Sequence, residues 1–266
     1  MKTIFISFAD SRMTPTLKRI KQQAKSMGVF DEIIVINEKH LDDKFRKQHK
    51  DRLQFDSRGY GYWIWKPYII KQTMDKMDEG DCLIYVDAGC HLNSKGRKRL
   101  LEYFQSVSES ELKVGGFQLQ GSQNEKFWTK MDLLYYFKVH DNIDIINSGQ
   151  IASGHVILAK CEKSVKFVEE WLNISENLQL IDDSPSQLPN FSEFREHRHD
   201  QSIFSLLCKT KGAVIFPGNE CYVPQDNAWH TLIDYPIWDK RDKRFSILSK
   251  IKYKFKSFIN KIIKHL

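Results

Sequence analysis

Residues 3–37, "TIFISFADSRMTPTLKRIKQQAKSMGVFDEIIVIN", decide the fold. The run "TIFISF" at residues 3–8 is short and apolar, the pattern of a buried strand. From Thr14 the spacing changes. Leu17, Ile20, Ala24 and Met27 fall at helical intervals, with Thr14 as the expected cap, Pro15 at the first helical position and Gly28 as the stop. "EIIVIN" at residues 32–37 then returns to a strand. Two strands joined by a helix make a βαβ unit, and its right-handed crossover sets the strands parallel.

The alternation continues along the chain. After a charged loop, the second half of "RGYGYWIWKPYII" (58–70) reads as helix, and "DCLIYVDAG" (81–89) as a third strand that ends at Asp87. A charged helix from Ser94 follows, then the strand "KVGGFQLQ", an aromatic helical patch "NEKFWTKMDLLYYF" and the strand "QIASGHVILAK". Two helices, "EKSVKFVEEWL" and "HRHDQSIFSLLCK", and the short strand "AVIFP" complete the series. This order predicts an α/β fold with a mainly parallel central sheet flanked by helices. Ligands of such sheets bind beyond the carboxyl ends of the strands, which singles out "SFADSR", "DAGCHLN" and "SGH".

A chain of 266 residues, 41% hydrophobic and 28% charged, has ordinary globular composition and fits one large α/β domain. No apolar run reaches the roughly 20 residues that span a bilayer, and Asp10 and Arg12 interrupt any signal-like N-terminal segment. The five cysteines are scattered and include no C-x-x-C pair, so the expected setting is a reducing cytoplasm. The net charge is +7, but residues 241–266 hold nine Lys or Arg and one Asp, leaving 32 basic against 33 acidic residues elsewhere. In that tail Phe245, Leu248, Ile251, Phe255, Phe258, Ile259, Ile262, Ile263 and Leu266 approach one helical face among lysines. The expected division is a domain over 1–236 and a basic amphipathic tail over 237–266. The tail would hold the protein on an anionic membrane, on the inner face of the plasma membrane. Docking of the tail on the body or on a partner is the alternative. Nucleic acid is not an expected partner, because the body carries no basic surplus.

Several residues carry candidate chemistry. Asp87 stands at a strand end beside Ala88 and Gly89, so it either binds a divalent cation carrying a diphosphate or caps the next element. Asp200 opens a helix after His197, Arg198 and His199, where capping is the plain alternative to catalysis. Gly154 interrupts a strand between Ser153 and His155, which marks a close approach there, and His155 is either a site residue or a core histidine. No H-E-x-x-H, G-x-S-x-G or Walker pattern occurs.

In this order, "RGYGYWIWKPYII", "LIYVDAGCHLN", "NSGQIASGHVILAK" and "HRHDQSIFSLL" resemble bacterial glycosyltransferases of capsule and lipopolysaccharide assembly with the GT-A fold, a Rossmann-like architecture. The likeness runs from about residue 5 to 217. It implies a nucleotide-diphosphate sugar donor over the N-terminal half, and Mn²⁺ or Mg²⁺ at Asp87, the position of the family's Asp-x-Asp motif. Here that motif reads Asp87-Ala88-Gly89, one carboxylate instead of two, with His91, Asn93 and His155 as further candidate ligands. By the same likeness, Ser7, Asp10 and Arg12 take the base, ribose and phosphate, unless Asp10 or Ser11 simply caps a turn. Arg58 and Lys66 are the candidates for diphosphate or sugar, Tyr62 offers a flat face to a sugar or base, and Asp87, Ala88 and Gly89 complete the donor side. Asp200 and His155 are the catalytic candidates, with Asp200 taking the acceptor proton or orienting a substrate. Ser153, Gly154, His199 and Gln201 are the acceptor-side candidates. The implied acceptor is a glycan, lipid-linked in keeping with the tail. Two rivals stand beside this reading: a sugar-phosphate transferase of capsule synthesis, and a non-catalytic, membrane-associated carbohydrate-binding protein.

Overall fold

A computed structural model describes residues 1–224 and 228–245. Most of the amphipathic helix expected in the tail lies outside the described residues. The strands are β1 (Thr3–Phe8), β2 (Glu32–Ile36), β3 (Cys82–Val86), β4 (His91–Leu92), β5 (Val114–Gln118), β6 (Ile151–Ala159), β7 (Val214–Pro217) and β8 (Ile237–Trp238). Six of them form one sheet in the order β2-β1-β3-β6-β5-β7, and β4 pairs with β8 in a separate ribbon. Within the large sheet β6 alone runs against its neighbours, antiparallel to both β3 and β5; the other pairings are parallel. The mainly parallel α/β architecture is therefore as the sequence predicts, with one reversed strand at its centre.

Helices cover both faces. On one, Trp65–Met74, Glu162–Glu176 and His199–Lys211 bury Ile69, Ile70, Trp171, Phe204 and Leu207 against Tyr85, Val156 and Leu158. On the other, Thr14–Met27 and Arg97–Glu109 bury Ile20, Met27, Leu100 and Phe104 against Phe5, Ile84 and Phe117. The central strands β1, β3 and β6 are buried on both sides, which is why they read as apolar runs, whereas the edge strands β2 and β7 are partly exposed.

The start of the first helix differs from expectation. Thr14 lies inside it and Met13 takes the cap position, because Asp10 caps a short 3-10 turn at Ser11–Met13 first, accepting from the Arg12 N–H. The stop is Gly28, with a left-handed φ of 62°. The aromatic patch divides into Glu125–Trp128 and Met131–Tyr136, separated by an extended backbone at Thr129.

The β4–β8 ribbon has no signal in the sequence. Asn93 donates its side-chain amide to the carbonyls of Ile233 and Tyr235, and its N–H to Pro236. Gly96 permits this contact: a Cβ there would stand 2.2 Å from the Tyr235 carbonyl carbon. Beyond β8 the chain crosses the loop after β3. The Asp242 N–H donates to the Gly89 carbonyl at 2.8 Å, and the Asp242 carboxylate meets Arg19, His91 and Arg244.

Trp171 joins core and site. It is fully buried, packs on Phe204 at 4.8 Å, and donates Nε1–H to the Asp200 carbonyl at 3.2 Å. Trp171→Ala should cost about 3–5 kcal/mol of stability in urea unfolding. A loss under about 1 kcal/mol would contradict its place at the centre of this packing.

Candidate active site

The side chains of a strand alternate, so Tyr85 and Asp87 leave β3 on the same face. The Tyr85 hydroxyl donates to Asp87 Oδ1, and the Asp87 N–H donates to the Gly154 carbonyl at 2.7 Å. Asp87 Oδ2 lies 3.3 Å from where a Cβ on Gly154 would stand, so a side chain there would crowd the carboxylate.

Lys66 enters this arrangement from the first turn of the Trp65–Met74 helix. Its Nζ lies 2.7 Å from Asp200 Oδ2, 3.5 Å from Asp87 Oδ1 and 3.1 Å from Ser153 Oγ. Ser153 Oγ donates in turn to Asp200 Oδ2 at 2.8 Å. One ammonium is thus shared by two carboxylates. The side chains of Lys66 and Asp200 are 2% and 5% exposed, whereas Asp87 is 37% exposed. Asp87 is the carboxylate of this set that a ligand can reach.

The electrostatics follow from burial and pairing. Burial works against the Lys66 ammonium, but the charges of Asp200 and Asp87 outweigh it and raise its pKa above that of ordinary lysine. Burial raises the Asp200 carboxyl, against the pull of Lys66 and Ser153. Burial, reinforced by Asp87, also lifts Tyr85 far above the usual phenol, so it remains a hydrogen-bond donor.

A register slip between Gly115 and Phe117 of β5, opposite Ser153–His155, sorts the side chains of β6. Ser153 reaches Lys66 and Asp200, whereas His155 packs edge-on to Phe117 at 4.9 Å. His155 is fully buried, neither ring nitrogen has a partner, and burial lowers its pKa. Of the two readings the sequence left open, site residue or core histidine, this packing favours the core histidine.

Of the remaining candidates, several are committed to one another. Asp200 does not cap its helix, and its carboxylate faces Lys66 and Ser153. That leaves little access for an acceptor hydroxyl and argues against direct proton abstraction. Asp10 and Arg12 form a bidentate pair, with the guanidinium 4.9 Å over Phe55. Ser7 is buried with an unpartnered hydroxyl. Arg58 bridges Asp183 and Glu196, His199 meets Asp183 at 2.9 Å, and Tyr62 stacks on His199 at 5.4 Å. Gln201 donates to Gln150. The Ala88 and Gly89 carbonyls accept from Arg19 and Asp242. Sequence reasoning missed Tyr85, whose two-residue offset from Asp87 was its only signal, and the crossing segment that carries Asp242, which had none.

The aromatic stretch before Lys66 has an unusual backbone. Residues 59–63 all take positive φ, from 55° to 94°, and Tyr60, Tyr62 and Trp63 do so without being glycine. A Cβ on Gly59 would overlap the Trp63 ring at 2.3 Å, so the turn requires glycine there.

The further ligands expected around Asp87 are engaged by other partners. No group of three or more His, Cys, Asp or Glu among the described residues is placed to hold one. His91 binds Asp242 and Gln23, Asn93 binds backbone carbonyls, and His155 faces Phe117. Asp87 Oδ1 is occupied by Tyr85 and neighbours the Lys66 ammonium. His91, Asn93 and His155, expected as further ligands beside Asp87, are thus committed elsewhere.

No protein-family model matches the chain, and no curated protein matches it. Solved structures do. A glycosyltransferase involved in glycosylation of the major capsid of PBCV-1 superposes with a TM-score of 0.51 at 10% identity, over 90% of this chain and 92% of that one. Mouse xyloside xylosyltransferase 1 gives 0.47 at 9% identity, over 90% and 96%. A glycosyltransferase of Streptococcus pneumoniae TIGR4 gives 0.44 at 13%, over 96% of this chain and 60% of that one. The first likeness establishes a shared fold.

Two outcomes test the site. Lys66→Met leaves the Asp200 carboxylate buried without its partner and should cost about 3–5 kcal/mol near neutral pH. Because the carboxyl pKa then rises further in the folded state, stability lost at pH 7.5 should partly return by pH 5 in urea titrations, and Lys66→Met with Asp200→Leu should recover much of it. A loss independent of pH would refute the shared-ammonium account. Separately, burial lowers the pKa of His155, His197 and His199. The unfolded chain therefore takes up protons first, and stability should fall as pH drops below about 6.5. His155→Leu should flatten that fall in urea midpoints taken from pH 7.5 to 5.5; an unchanged slope would remove His155 as a contributor.

Proposed function

We propose that the chain is a glycosyltransferase that moves a sugar from a nucleotide-diphosphate donor to a glycan acceptor in cell-surface polysaccharide synthesis. The observation that carries the reading is the Lys66–Asp87–Asp200–Ser153 cluster. It lies beyond the carboxyl end of β3, where ligands of open α/β sheets bind, and it leaves the Asp87 carboxylate accessible. The shared fold with a glycosyltransferase agrees with it.

In this reading Asp87 receives hydrogen bonds from sugar hydroxyls. Tyr85 fixes one of its oxygens, and Lys66 stops it from rotating away. Asp200 is a positioning residue that acts through Lys66. A carboxylate held this way needs no reorganisation when substrate binds, which is how preorganised polar groups favour reaction. No helix among the described residues is long and apolar enough to cross a membrane. The basic, amphipathic sequence of the tail supports an acceptor held at an anionic membrane surface, since a shared surface raises effective concentration.

The test is a thermal-shift panel of nucleotide sugars, with and without Mn²⁺, followed by identification of the released nucleotide. One donor should stabilise the wild type, by about 2.7 kcal/mol at a hundred times its Kd. Turnover should release nucleoside diphosphate, and Asp87→Asn should lower the rate by about 100-fold or more. Stabilisation by none of the panel would count against the reading. Release of nucleoside monophosphate would replace it with sugar-phosphate transfer.

A further inference from the structure

Residues 182–197 form neither helix nor strand, and an irregular stretch of this length inside a compact domain is usually functional. Its backbone is nevertheless fastened at many points. The Asp132 carboxylate accepts the N–H groups of Gln187 and Leu188 at 2.9 Å each, and Asn190 Oδ1 accepts the Met131 N–H at 2.8 Å. The Arg195 N–H donates to the Phe127 carbonyl at 2.8 Å, and Lys130 Nζ reaches the Gln179 carbonyl at 2.9 Å and Asp182 at 3.3 Å. Pro185 and Pro189 each fix one more backbone angle. Together these ties hold the loop around a cavity of about 450 Å³, within the size range of small-ligand sites.

The polar groups that line this cavity are only half used. Asp183 Oδ1 meets Arg58 and His199, and Glu196 Oε2 meets Arg58, whereas Asp183 Oδ2 and Glu196 Oε1 have no partner among the described residues. The Asn190 amide NH₂ has none there either. The Arg195 guanidinium lies 4.9 Å over the Phe127 ring and 5.5 Å over the Trp128 ring, and it forms no ion pair among the described residues. Phe194, Leu188 and the two prolines supply the apolar part of the wall. Lys130 and Arg195 balance Asp183 and Glu196, and burial keeps His197 neutral, so the lining carries no net charge. The cavity adjoins the Lys66–Asp200 pair, because Asp183 is bonded to His199, the residue before Asp200.

We propose that this cavity is a subsite for a neutral sugar unit of the glycan acceptor, a proposal that rests on the glycosyl-transfer reading. A sugar hydroxyl both donates and accepts, so neighbouring hydroxyls can donate to the open oxygens of Asp183 and Glu196 and accept from Asn190 and Arg195. The carbon-bound face of the ring packs on Phe194 and Leu188. A wall without net charge gives no electrostatic advantage to a nucleoside diphosphate, which separates this subsite from that of the donor. Arg58 spans both carboxylates before any ligand arrives, and that limits the ordering cost of binding.

Ligand-observed NMR on the full chain tests this with lactose, cellobiose, maltose and chitobiose, and with inorganic diphosphate as the charged competitor. At least one disaccharide should bind the wild type, and diphosphate should not displace it. Leu188→Trp, which fills the cavity from an exposed position, and Arg195→Ala, which removes an unpaired donor, should each weaken that disaccharide by about tenfold or more. Neither should change the affinity of a nucleotide sugar taken from the donor panel. Lys163→Gln, which removes a cation from an exposed pair with Glu111, should change nothing. Thermal melts without ligand verify that the variants fold. Failure of the wild type to bind any of the four disaccharides overturns the proposal, as does binding that survives both variants; glycosyl transfer then stands or falls by the donor panel alone. A loss of nucleotide-sugar affinity in place of disaccharide affinity also overturns it and assigns the cavity to the donor. If both variants lose the disaccharide and the wild type binds no nucleotide sugar, the glycan subsite stands and the glycosyltransferase reading fails.

Discussion

One buried ammonium organises the centre of this protein. Lys66 is enclosed by the sheet and two helices, and its charge persists there because Asp200 and Asp87 face it from two sides and Ser153 accepts a third contact. Taking such a group out of water costs several kcal/mol, and only good geometry with complete hydrogen bonding offsets that cost. The surrounding fold meets the condition by bringing together four segments distant in sequence. They are the first turn of the Trp65–Met74 helix, the end of β3, the irregular part of β6 and the start of the His199–Lys211 helix.

That constraint explains features that look unrelated. The reversed direction of β6 places Ser153 and Gly154 beside Asp87, with the Gly154 carbonyl holding the Asp87 N–H. The register slip turns Ser153 toward the ammonium while His155 remains in the opposite core layer. Trp171 carries the influence outward, because the ring that fills the core also holds the Asp200 carbonyl. Core packing and site geometry are therefore one problem in this chain.

The sheet was legible because its central strands are buried on both faces, so that each appears as an apolar run bounded by polar residues. Asp87, Lys66, Ser153 and Asp200 were each visible as a polar residue at an element's end or in an apolar setting. Their mutual contacts were not, since the pairs are separated by up to 134 residues. The ribbon of β4 and β8 was invisible for another reason. Two-residue strands carry no periodicity, and their pairing depends on Gly96 letting the backbone at Tyr235 come near. The pairing of Arg58 with Asp183 and Glu196 carried no signal either, since those carboxylates lie more than a hundred residues away.

The backbone of residues 59–63 has a consequence for cooperativity. A left-handed conformation costs roughly 1–2 kcal/mol for each non-glycine residue, so Tyr60, Tyr62 and Trp63 have no intrinsic reason to adopt it. Local bonds with Ser57 and Trp65 brace the turn, and remote contacts add to them: His199 against Tyr62 and Trp63, and Asp183 with Glu196 against Arg58. His199, itself at a φ of 52°, is fastened to the same Asp183. The aromatic turn and the segment around 183–199 therefore stabilise one another. Because the turn leads directly into the helix that carries Lys66, ordering of that distant segment is thermodynamically linked to placement of the central ammonium.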